Sequence, residues 1–541
     1  GCANSQSADF HQQSIQGARV LMAEASEYLV EISCLDASDV ARTLYLSSGG
    51  YTTTPADNPP NQYYEPRLSD VGPFSQNIFA AGYTTGSAAD VGYGSIAVSN
   101  ADGALDEWMD YAFDGRAIVI KRLSSHAAAY NTATTIFTGT IERFDAESAW
   151  SGFRLRVYDN RLLLDRPLQT NVYAGTTNSE GATAEGTVDL RDSPKPLAYG
   201  KVYQVPAVQA NAYDLIYQVN DGPVASIVVY DGAVPLTAGS DYATLGLLQD
   251  ASVSGGTYAT CLALGLFKLG SSPSKVITAD VVETATASTR YAGSIVRRIL
   301  QKAGIDQQRV DAASADAVDA DAPYECGIWL NDTTNAIDAV SAVLASVGGW
   351  MVPNHLGVFT FGRMAEPEAI AASTIDYDTD VILTDGGDIT ITANPDTDGG
   401  LPTWRVTVSY ERVYQVQDGA SVHGCVDDEF RGYVAKAFRE TKAESAATRT
   451  RHPLSTEMRI ETALVSIADA ASEASRRLAM YSVRRDLLDI SIPAIDAAEK
   501  TLGSTTKLTL PRFGYDTGRN MVVIGREHDL TNERVKLTLW G

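Results

Sequence analysis

Short segments in which apolar and polar residues alternate recur along the chain and predict β-strands. Residues 28–33 alternate as a half-buried strand does, and residues 153–159 alternate apolar with charged side chains over seven positions. One face of each strand should pack on a core while the other meets solvent. The dipeptide Asp231-Gly232 lies between two strand-like runs and predicts a hairpin, because both turn positions can take positive φ.

A few segments have the helical period instead. Residues 292–300 and 335–347 carry apolar side chains at helical spacing, Gly348-Gly349 should end the second helix, and a hairpin over residues 350–363 follows. Residues 463–483 form the longest predicted helix. Near its end lie the arginines Arg476, Arg477, Arg484 and Arg485. The helix dipole favours cations there; pairing with a neighbouring subunit's carboxylates is the alternative interpretation.

Residues 41–165 are the most informative part of the sequence, and they include a long loop of residues 49–75, called the tyrosine loop below. It holds five prolines, too many for a regular strand, with Tyr51, Tyr63 and Tyr64 among them. A long ordered loop in a compact domain usually has a function. We expect these tyrosines to contact a neighbouring subunit, because tyrosine gives a large contact area at low entropic cost. Equally weighted is the interpretation that they fix the loop onto its own domain.

Length and charge narrow the class of protein. With 541 residues, 44% of them hydrophobic, the chain is long enough for several packed cores. The formal net charge of -25 argues against tight DNA binding, which depends on Lys and Arg neutralising phosphates. An acidic surface would suit a passage through which DNA slides, although such surfaces mostly keep a protein in solution.

The residues that carry chemistry are scattered. The five cysteines, Cys2, Cys34, Cys261, Cys326 and Cys425, form no C-x-x-C pair, so no cofactor or metal site is predicted, and an iron–sulfur cluster is only a remote alternative. Zinc-peptidase, nucleophile-elbow, P-loop and dinucleotide-binding motifs are missing, and no catalytic residue is predicted. His423 near Cys425, Asp427 and Asp428 is the best local cluster; an acidic loop is the preferred interpretation. No apolar run approaches the length of a membrane span.

Several segments resemble the phage tail hub family, proteins that close the end of a tail tube and connect it to a fibre or spike. In the first part the resemblance lies in a strand, a turn, the Pro-Pro to Tyr-Tyr part of the tyrosine loop and a closing strand, at residues 42–48, 49–51, 59–64 and 139–144. Later it lies in an exit turn, a helix with a hairpin and a Gly-Arg turn before the last strands, at residues 160–168, 335–363 and 518–541.

This resemblance implies a structural, non-enzymatic protein of a bacteriophage virion, a tail-tip or baseplate hub. Three copies would form a ring, with two related domains per subunit facing a hexameric tube. The implied partners are the tube or distal tail ring and a central fibre or spike. Genomic DNA would pass through during ejection without specific binding. The protein would assemble in the host cytoplasm, would lack a membrane span and would be located in the virion, at the baseplate or tip of the tail.

The expected fold class is α+β, mainly β, with several barrel-like β domains and a few packed helices. The predicted units are residues 1–170, a hub-like β-barrel domain with the tyrosine loop; 171–190, a linker; 191–270, a small inserted β domain; 271–400, a helix and hairpin domain; and 401–541, a second barrel-like domain with one long helix. The main alternative function is a distal tail or receptor-binding protein that recognises a cell-surface glycan, since tyrosine-rich loops on β scaffolds also suit sugars. A hydrolase with an unfamiliar site is a second alternative.

Overall fold

The structure is a computed structural model that describes residues 26–79, 92–147, 151–178, 181–381, 389–395 and 398–541. Within these residues the chain is mainly β with a few packed helices, so the predicted α+β, mainly β class is confirmed. The strands form six sheets, and each sheet of the described residues is an open path of strands, so none closes into a barrel.

The strands of the first half of the chain are β1 (Glu27–Leu35), β2 (Ala41–Ser47), β3 (Tyr51–Thr52), β4 (Tyr63–Pro66), β5 (Leu68–Val71), β6 (Phe74–Asn77), β7 (Tyr93–Ser99), β8 (Ala117–Leu123), β9 (Thr134–Ala146), β10 (Gly152–Tyr158), β11 (Leu197–Pro206), β12 (Val208–Asn211), β13 (Ile216–Gln218), β14 (Ser226–Asp231), β15 (Val234–Pro235), β16 (Thr237–Asp241), β17 (Thr257–Cys261) and β18 (Leu266–Leu269).

The remaining strands are β19 (Ile277–Val282), β20 (Gly327–Leu330), β21 (Gly349–Pro353), β22 (Phe359–Arg363), β23 (Ser373–Asp376), β24 (Ile391–Ala393), β25 (Arg405–Tyr410), β26 (Arg439–Glu444), β27 (Glu457–Glu461), β28 (Asp486–Pro493), β29 (Thr505–Thr509), β30 (Arg519–Asp529) and β31 (Arg534–Trp540). The α-helices are α1 (Leu245–Gln249), α2 (Ala292–Lys302), α3 (Ala312–Asp321), α4 (Ala336–Ser346), α5 (Tyr377–Asp380), α6 (Asp428–Val434), α7 (Ala446–Arg451) and α8 (Ile467–Tyr481).

A nine-stranded sheet dominates the first part of the chain. Its strand order is β3-β4-β2-β1-β8-β9-β10-β7-β5, and neighbours along most of this path run antiparallel. The alternation predicted for residues 28–33 and 153–159 is confirmed in β1 and β10. Their inward positions, such as Val30, Ile32 and Leu155, are buried in one core.

The tyrosine loop contains short strands, so the prediction that it lacks regular strands is wrong. β4 pairs with β3 antiparallel and with β2 parallel, over two residues in each case. Pro66 is its last residue, where a missing N–H costs no further ladder bond. Two-residue ladders between prolines give little sequence signal, because only the partner strands fix them.

Two five-stranded sheets follow, β15-β14-β19-β11-β20 and β12-β13-β18-β17-β16, and their apolar faces share a core that includes Val229, Phe267 and Val281. The predicted hairpin after β14 exists, but its turn lies one residue later than expected. Asp231 still pairs with Val234, and the turn residues Gly232 and Ala233 have φ of 53° and 67°. Both values fit a two-residue turn of the primed type.

The helices α2, α4 and α8 share one large core with β25 and the β21–β22 hairpin. α2 and α4 confirm the helical period read from residues 292–300 and 335–347, and Gly348 takes a positive φ of 68° just beyond α4. The long predicted helix is α8, which begins at Ile467 after an N-cap by Ser466, whose hydroxyl accepts from Ala468 and Asp469 amides.

A seven-stranded sheet closes the chain, with the order β23-β29-β30-β31-β28-β24 and with β6 paired to β30 outside this path. The pairs run from Gly525 opposite Asn77 to His528 opposite Phe74. This pairing of β6 with β30 is called the seam below. It joins the strand that follows the tyrosine loop to the sheet at the other end of the chain.

The predicted domain boundaries stay a prediction, and several contacts cross them. β19 lies between β11 and β14 in one sheet, so strand pairing crosses residue 270. Tyr173 and Ala184, from the predicted linker of residues 171–190, are buried in one core with Ile216. Apolar burial therefore continues through a segment that its Gly, Thr and Ser content marks as polar.

Candidate functional site

The carboxylate of Glu31 on β1 organises the inner side of the tyrosine loop. Its Oε1 accepts hydrogen bonds from the Tyr64 hydroxyl at 2.7 Å and the Tyr130 hydroxyl at 3.0 Å, and Lys121 on β8 donates to the same oxygen. The Tyr51 hydroxyl donates to the Ala128 carbonyl oxygen at 2.9 Å. The loop is thus fastened to the sheet through three phenols, one ammonium group and one carboxylate.

The three tyrosines that sequence singles out have different surroundings. Tyr64 is 0% exposed and Tyr51 is 9% exposed. Tyr63, which precedes Tyr64 on β4 and lies on the opposite face of that strand, is 51% exposed. Burial, helped by the Tyr130 and Glu31 contacts, raises the pKa of the Tyr64 hydroxyl and keeps it protonated. Tyr51 and Tyr64 therefore hold the loop on its own sheet, and Tyr63 is the member that faces outward.

Replacing Glu31 with alanine should lower the free energy of unfolding by about 1–3 kcal/mol, because Lys121 and two phenols lose a half-buried acceptor. Urea unfolding followed by circular dichroism measures this change. The matched control is Glu65→Ala, since Glu65 is an exposed partner of Arg67 in the same loop and should change stability by less than about 0.5 kcal/mol. Equal effects of the two substitutions would contradict this role for Glu31.

The structure places His423 of the sequence cluster beside Ser274 and Asp231, which have the residue types of a hydrolytic triad but not its geometry. His423 Nε2 lies 3.2 Å from the Ser274 hydroxyl and 3.6 Å from an Asp231 carboxylate oxygen, while that hydroxyl also donates to Asp231 at 3.1 Å. Serine and aspartate thus face the same ring nitrogen. A relay needs them on opposite nitrogens of the ring. The site cannot activate the serine in that way.

The acidic residues beside His423 have structural roles. Asp427 caps α6 by accepting a hydrogen bond from the Phe430 amide at 2.8 Å, and Asp428 begins the helix. Cys425 is exposed and belongs to neither contact. The loop interpretation of this segment agrees with the observed contacts.

A buried polar network that sequence reasoning missed lies where residues 411–434 cross the sheet of β11, β14 and β19. Asp280 accepts from the Tyr230 hydroxyl at 2.9 Å and from the Gln204 backbone and side-chain amides at 2.8 and 3.0 Å. Gln417 donates to Gln204 at 3.2 Å and extends the network into the crossing segment. A lone aspartate within the apolar strand sequence of β19 was the available signal.

Burial raises the pKa of Asp280 and of Glu411, two carboxyl groups of this region. Beside them a stack runs from Tyr230 through Phe430 to Tyr433, with ring centroids 5.7 and 5.5 Å apart, and Arg439 covers the last ring at 4.0 Å. The stacked faces are occupied by one another, and the hydrogen bonds of Asp280 are used within the chain. The arrangement fastens residues 411–434 to the sheet and presents no acid and base to a substrate.

The four cysteines of the described residues do not converge on one site. Cys34, Cys261 and Cys326 are buried in three different cores, where burial raises the pKa of each thiol. Cys2 lies outside the described residues. Within the described ranges no group of three His, Cys, Asp or Glu side chains has the spacing of a metal site. Whether the chain holds an iron–sulfur cluster stays untested.

Two further features bear on function. An apolar pocket lies between α4 and the β21–β22 hairpin, and none of the ten residues that line it is titratable. Among the described residues, no helix combines the length and the apolar character that a membrane crossing requires.

Comparison with known proteins gives structural likeness only. The chain matches no protein-family model and no curated protein sequence. A 43 kDa tail protein of prophage MuSo2 from Shewanella oneidensis is 7% identical, with a TM-score of 0.40 over 95% of this chain and 98% of that one. A Neisseria meningitidis tail protein has 9% identity, a TM-score of 0.37 and coverages of 95% and 96%. The prophage tail protein gp18 from Listeria monocytogenes has 8% identity, a TM-score of 0.40 and coverages of 95% and 94%.

Proposed function

We propose that this chain is a structural protein of a bacteriophage tail, a tail-tip or baseplate hub that joins the tail tube to a distal fibre or spike. Because the likeness to solved tail proteins stays at TM-scores below 0.5, the proposal depends on the chain's own residues. Three features support it: the segments that resemble tail hubs, the seam, and the charged clusters whose hydrogen bonds and ion pairs are made within the chain.

The observation that carries the proposal is the seam. β6 belongs to the region of the nine-stranded sheet and is hydrogen-bonded to β30 of the seven-stranded sheet. Two β units from opposite ends of the chain thereby lie side by side with a fixed register. A hub whose three copies face a sixfold tube needs two such units per subunit, and the seam supplies a rigid connection between them.

The charge distribution is consistent with passage of DNA rather than with binding. The chain carries 67 acidic against 42 basic residues. Many of the arginines are engaged with carboxylates of the same chain, as in the pairs of Arg67 with Asp102 and Arg298 with Glu283. Since phosphate binding needs free cations, genomic DNA would slide past such a surface without specific contacts.

The alternative of a glycan-binding protein finds less support in the tyrosine loop. Sugar recognition by stacking needs exposed aromatic faces, and of Tyr51, Tyr63 and Tyr64 only Tyr63 is exposed. Binding of the isolated chain to a glycan array, lost in Tyr63→Ser, would favour that alternative over a hub.

The proposal predicts a trimer in solution or in the particle, and Tyr63 tests the subunit contact. Light scattering coupled to gel filtration should give three times the chain mass of 57.8 kDa. Tyr63→Ser should shift the mass towards the monomer at a concentration where the wild type is trimeric, because an aromatic anchor at an interface centre contributes about 2 kcal/mol or more.

The matched control for Tyr63 is Tyr93→Ser, since Tyr93 is 61% exposed and lies outside the loop. It should leave the mass unchanged, and neither substitution should alter the unfolding free energy by more than about 0.5 kcal/mol. A wild-type protein that is monomeric in solution and missing from purified virions would end the hub proposal.

A further inference from the structure

Arg526 on β30 is a mostly buried cation without an acidic partner. One of its terminal nitrogens donates to the Ala497 carbonyl oxygen at 3.0 Å, and its Nε is buried without a hydrogen-bond partner. Among the described residues no carboxylate forms an ion pair with it. Buried arginines are ordinarily paired, so an unpaired one in a chain of net charge -25 requires a reason.

Two histidines lie near Arg526 at the seam. His528 follows two residues later on β30, opposite Phe74 of the seam. Side chains two residues apart on a strand point to the same face of the sheet, so those of His528 and Arg526 share a face. His355 is in the turn after β21, and the Gln76 amide, opposite Arg526, donates to the Pro353 carbonyl oxygen at the start of that turn. The turn is therefore brought to the seam beside the two β30 residues.

The local electrostatics agree with this geometry. Burial, together with repulsion from Arg526 and His355, lowers the pKa of the His528 ring to about 4. Burial also lowers the pKa of Arg526, and no carboxylate acts against it. Burial is the main cause of both shifts, and the added repulsion from Arg526 and His355 shows that these two groups lie close enough to act on the His528 ring.

We propose that Arg526, His528 and His355 form an oxyanion site at the seam. Arg526 offers the terminal N–H groups of its guanidinium that the Ala497 carbonyl oxygen does not occupy, which suit the oxygens of a carboxylate or phosphate group. His355 is exposed and leaves the site open to solvent on its side. The ligand is a small oxyanion, supplied as free inorganic phosphate or as a carboxylate side chain of a second copy of this acidic chain.

Histidine-detected NMR on the whole protein tests the site, because the chain has only six histidines. Inorganic phosphate is titrated at constant ionic strength and slightly acidic pH. We expect the ring signals of His528 and His355, assigned with His528→Asn and His355→Asn, to shift towards the protonated form, since a bound anion raises their pKa. The signals of His126, His423 and His452 should stay in place.

Arg526→Gln should weaken phosphate binding by about tenfold or more, the loss expected for a charge-assisted pair. The control is Arg143→Gln, an exposed arginine paired with Asp145, which should bind as the wild type does. If Arg526→Gln proves unstable, Arg526→Lys keeps a charge without the fork and should still bind more weakly.

Light scattering separates the two sources of the anion. If phosphate binds and leaves the mass unchanged, the site takes a free anion; if phosphate lowers the mass and Arg526→Gln does the same, a second copy supplies the carboxylate. Either outcome supports the site. The proposal would be overturned if phosphate leaves the histidine signals unchanged and neither phosphate nor Arg526→Gln changes the mass.

Discussion

Glu473→Ala should lower the free energy of unfolding by about 3–5 kcal/mol, because it leaves several buried guanidinium groups without their carboxylate. Glu473 on α8 is 0% exposed. Its two oxygens accept from Arg477 at 2.6 Å, from Arg476 at 2.6 and 2.9 Å, and from Arg363 of β22 at 2.9 Å. Urea unfolding monitored by circular dichroism gives the change directly.

The loss of stability in Glu473→Ala extends beyond the ion pairs, because the same arginines also donate hydrogen bonds to carbonyl oxygens at the C-terminus of α4. Arg477 donates to the Ala345 carbonyl oxygen and Arg363 to that of Val347 at 2.8 Å, both at the C-terminus of α4, where carbonyls lack helical partners. Arg476 donates to the Met364 carbonyl oxygen at 2.6 Å. One carboxylate thus orders three arginines that hold α4, α8 and the strand β22 together.

The pH dependence separates this mechanism from simple loss of packing. Burial alone would raise the pKa of Glu473, but Arg477, Arg476 and Arg363 outweigh it and lower the pKa to about 2 from an ordinary 4.5. A carboxyl group with a depressed folded pKa contributes stability above pH 4.5, here about 3 kcal/mol, that is lost as the pH falls towards 2. The stability difference between wild type and Glu473→Gln should therefore shrink over that window.

Glu440→Ala is the matched control for Glu473. Glu440 on β26 is exposed and lies 3.5 Å from the exposed Arg459, so its removal should cost less than about 0.5 kcal/mol. A pH-independent difference between wild type and Glu473→Gln, or a cost for Glu473→Ala no larger than that of Glu440→Ala, would contradict the electrostatic role.

Asp159→Ala should cost about 3–5 kcal/mol and should loosen the seam first, because Asp159 and Arg161 form an ion pair in which both side chains are 0% exposed. Asp159 also accepts from the Gly92 amide at 3.0 Å, and Arg161 donates to the Asn77 carbonyl oxygen at 3.2 Å, at the end of β6. Without the carboxylate, a buried guanidinium is left beside the strand that pairs with β30.

Hydrogen exchange measures the local part of this effect. The Ile78 amide donates to the Ile524 carbonyl oxygen at 2.9 Å just past the seam, and it should exchange faster in Asp159→Ala under conditions where the β26 amides are unchanged. Asp145→Ala, which removes an exposed partner of Arg143, is the control and should leave both the exchange and the unfolding free energy near wild-type values. Uniform acceleration across all sheets would show that Asp159 has no special connection to the seam.

Much of the secondary structure could be predicted because periodicity is a local property. The alternation of β1 and β10 and the helical spacing in α2, α4 and α8 follow from which side chains must be buried on one face. The short strands of the tyrosine loop could not be predicted, since pairs of two residues are stabilised by their partners and leave no period in the sequence.

The arginines near the end of α8 show the same limit in side-chain chemistry. Sequence favoured an interaction of Arg476 and Arg477 with the helix dipole, or with a neighbouring subunit. Both instead bind Glu473 of their own helix, three and four residues earlier, and reach carbonyls of other elements. Spacing made the ion pairs possible. Only the fold, which brings the end of α4 and the strand β22 to these side chains of α8, excluded water and made the ion pairs buried.

The sequence alone determined the fold class, the main strands and helices, the acidic balance and the scarcity of recognisable catalytic motifs, because these follow from composition and from local period. Tertiary structure decided which tyrosines turn inward, that Ser274 and Asp231 face one nitrogen of His423, and that β6 joins β30 across the length of the chain. Those features are set by contacts between residues far apart in sequence, whose free energies arise only when the core brings them together and excludes water.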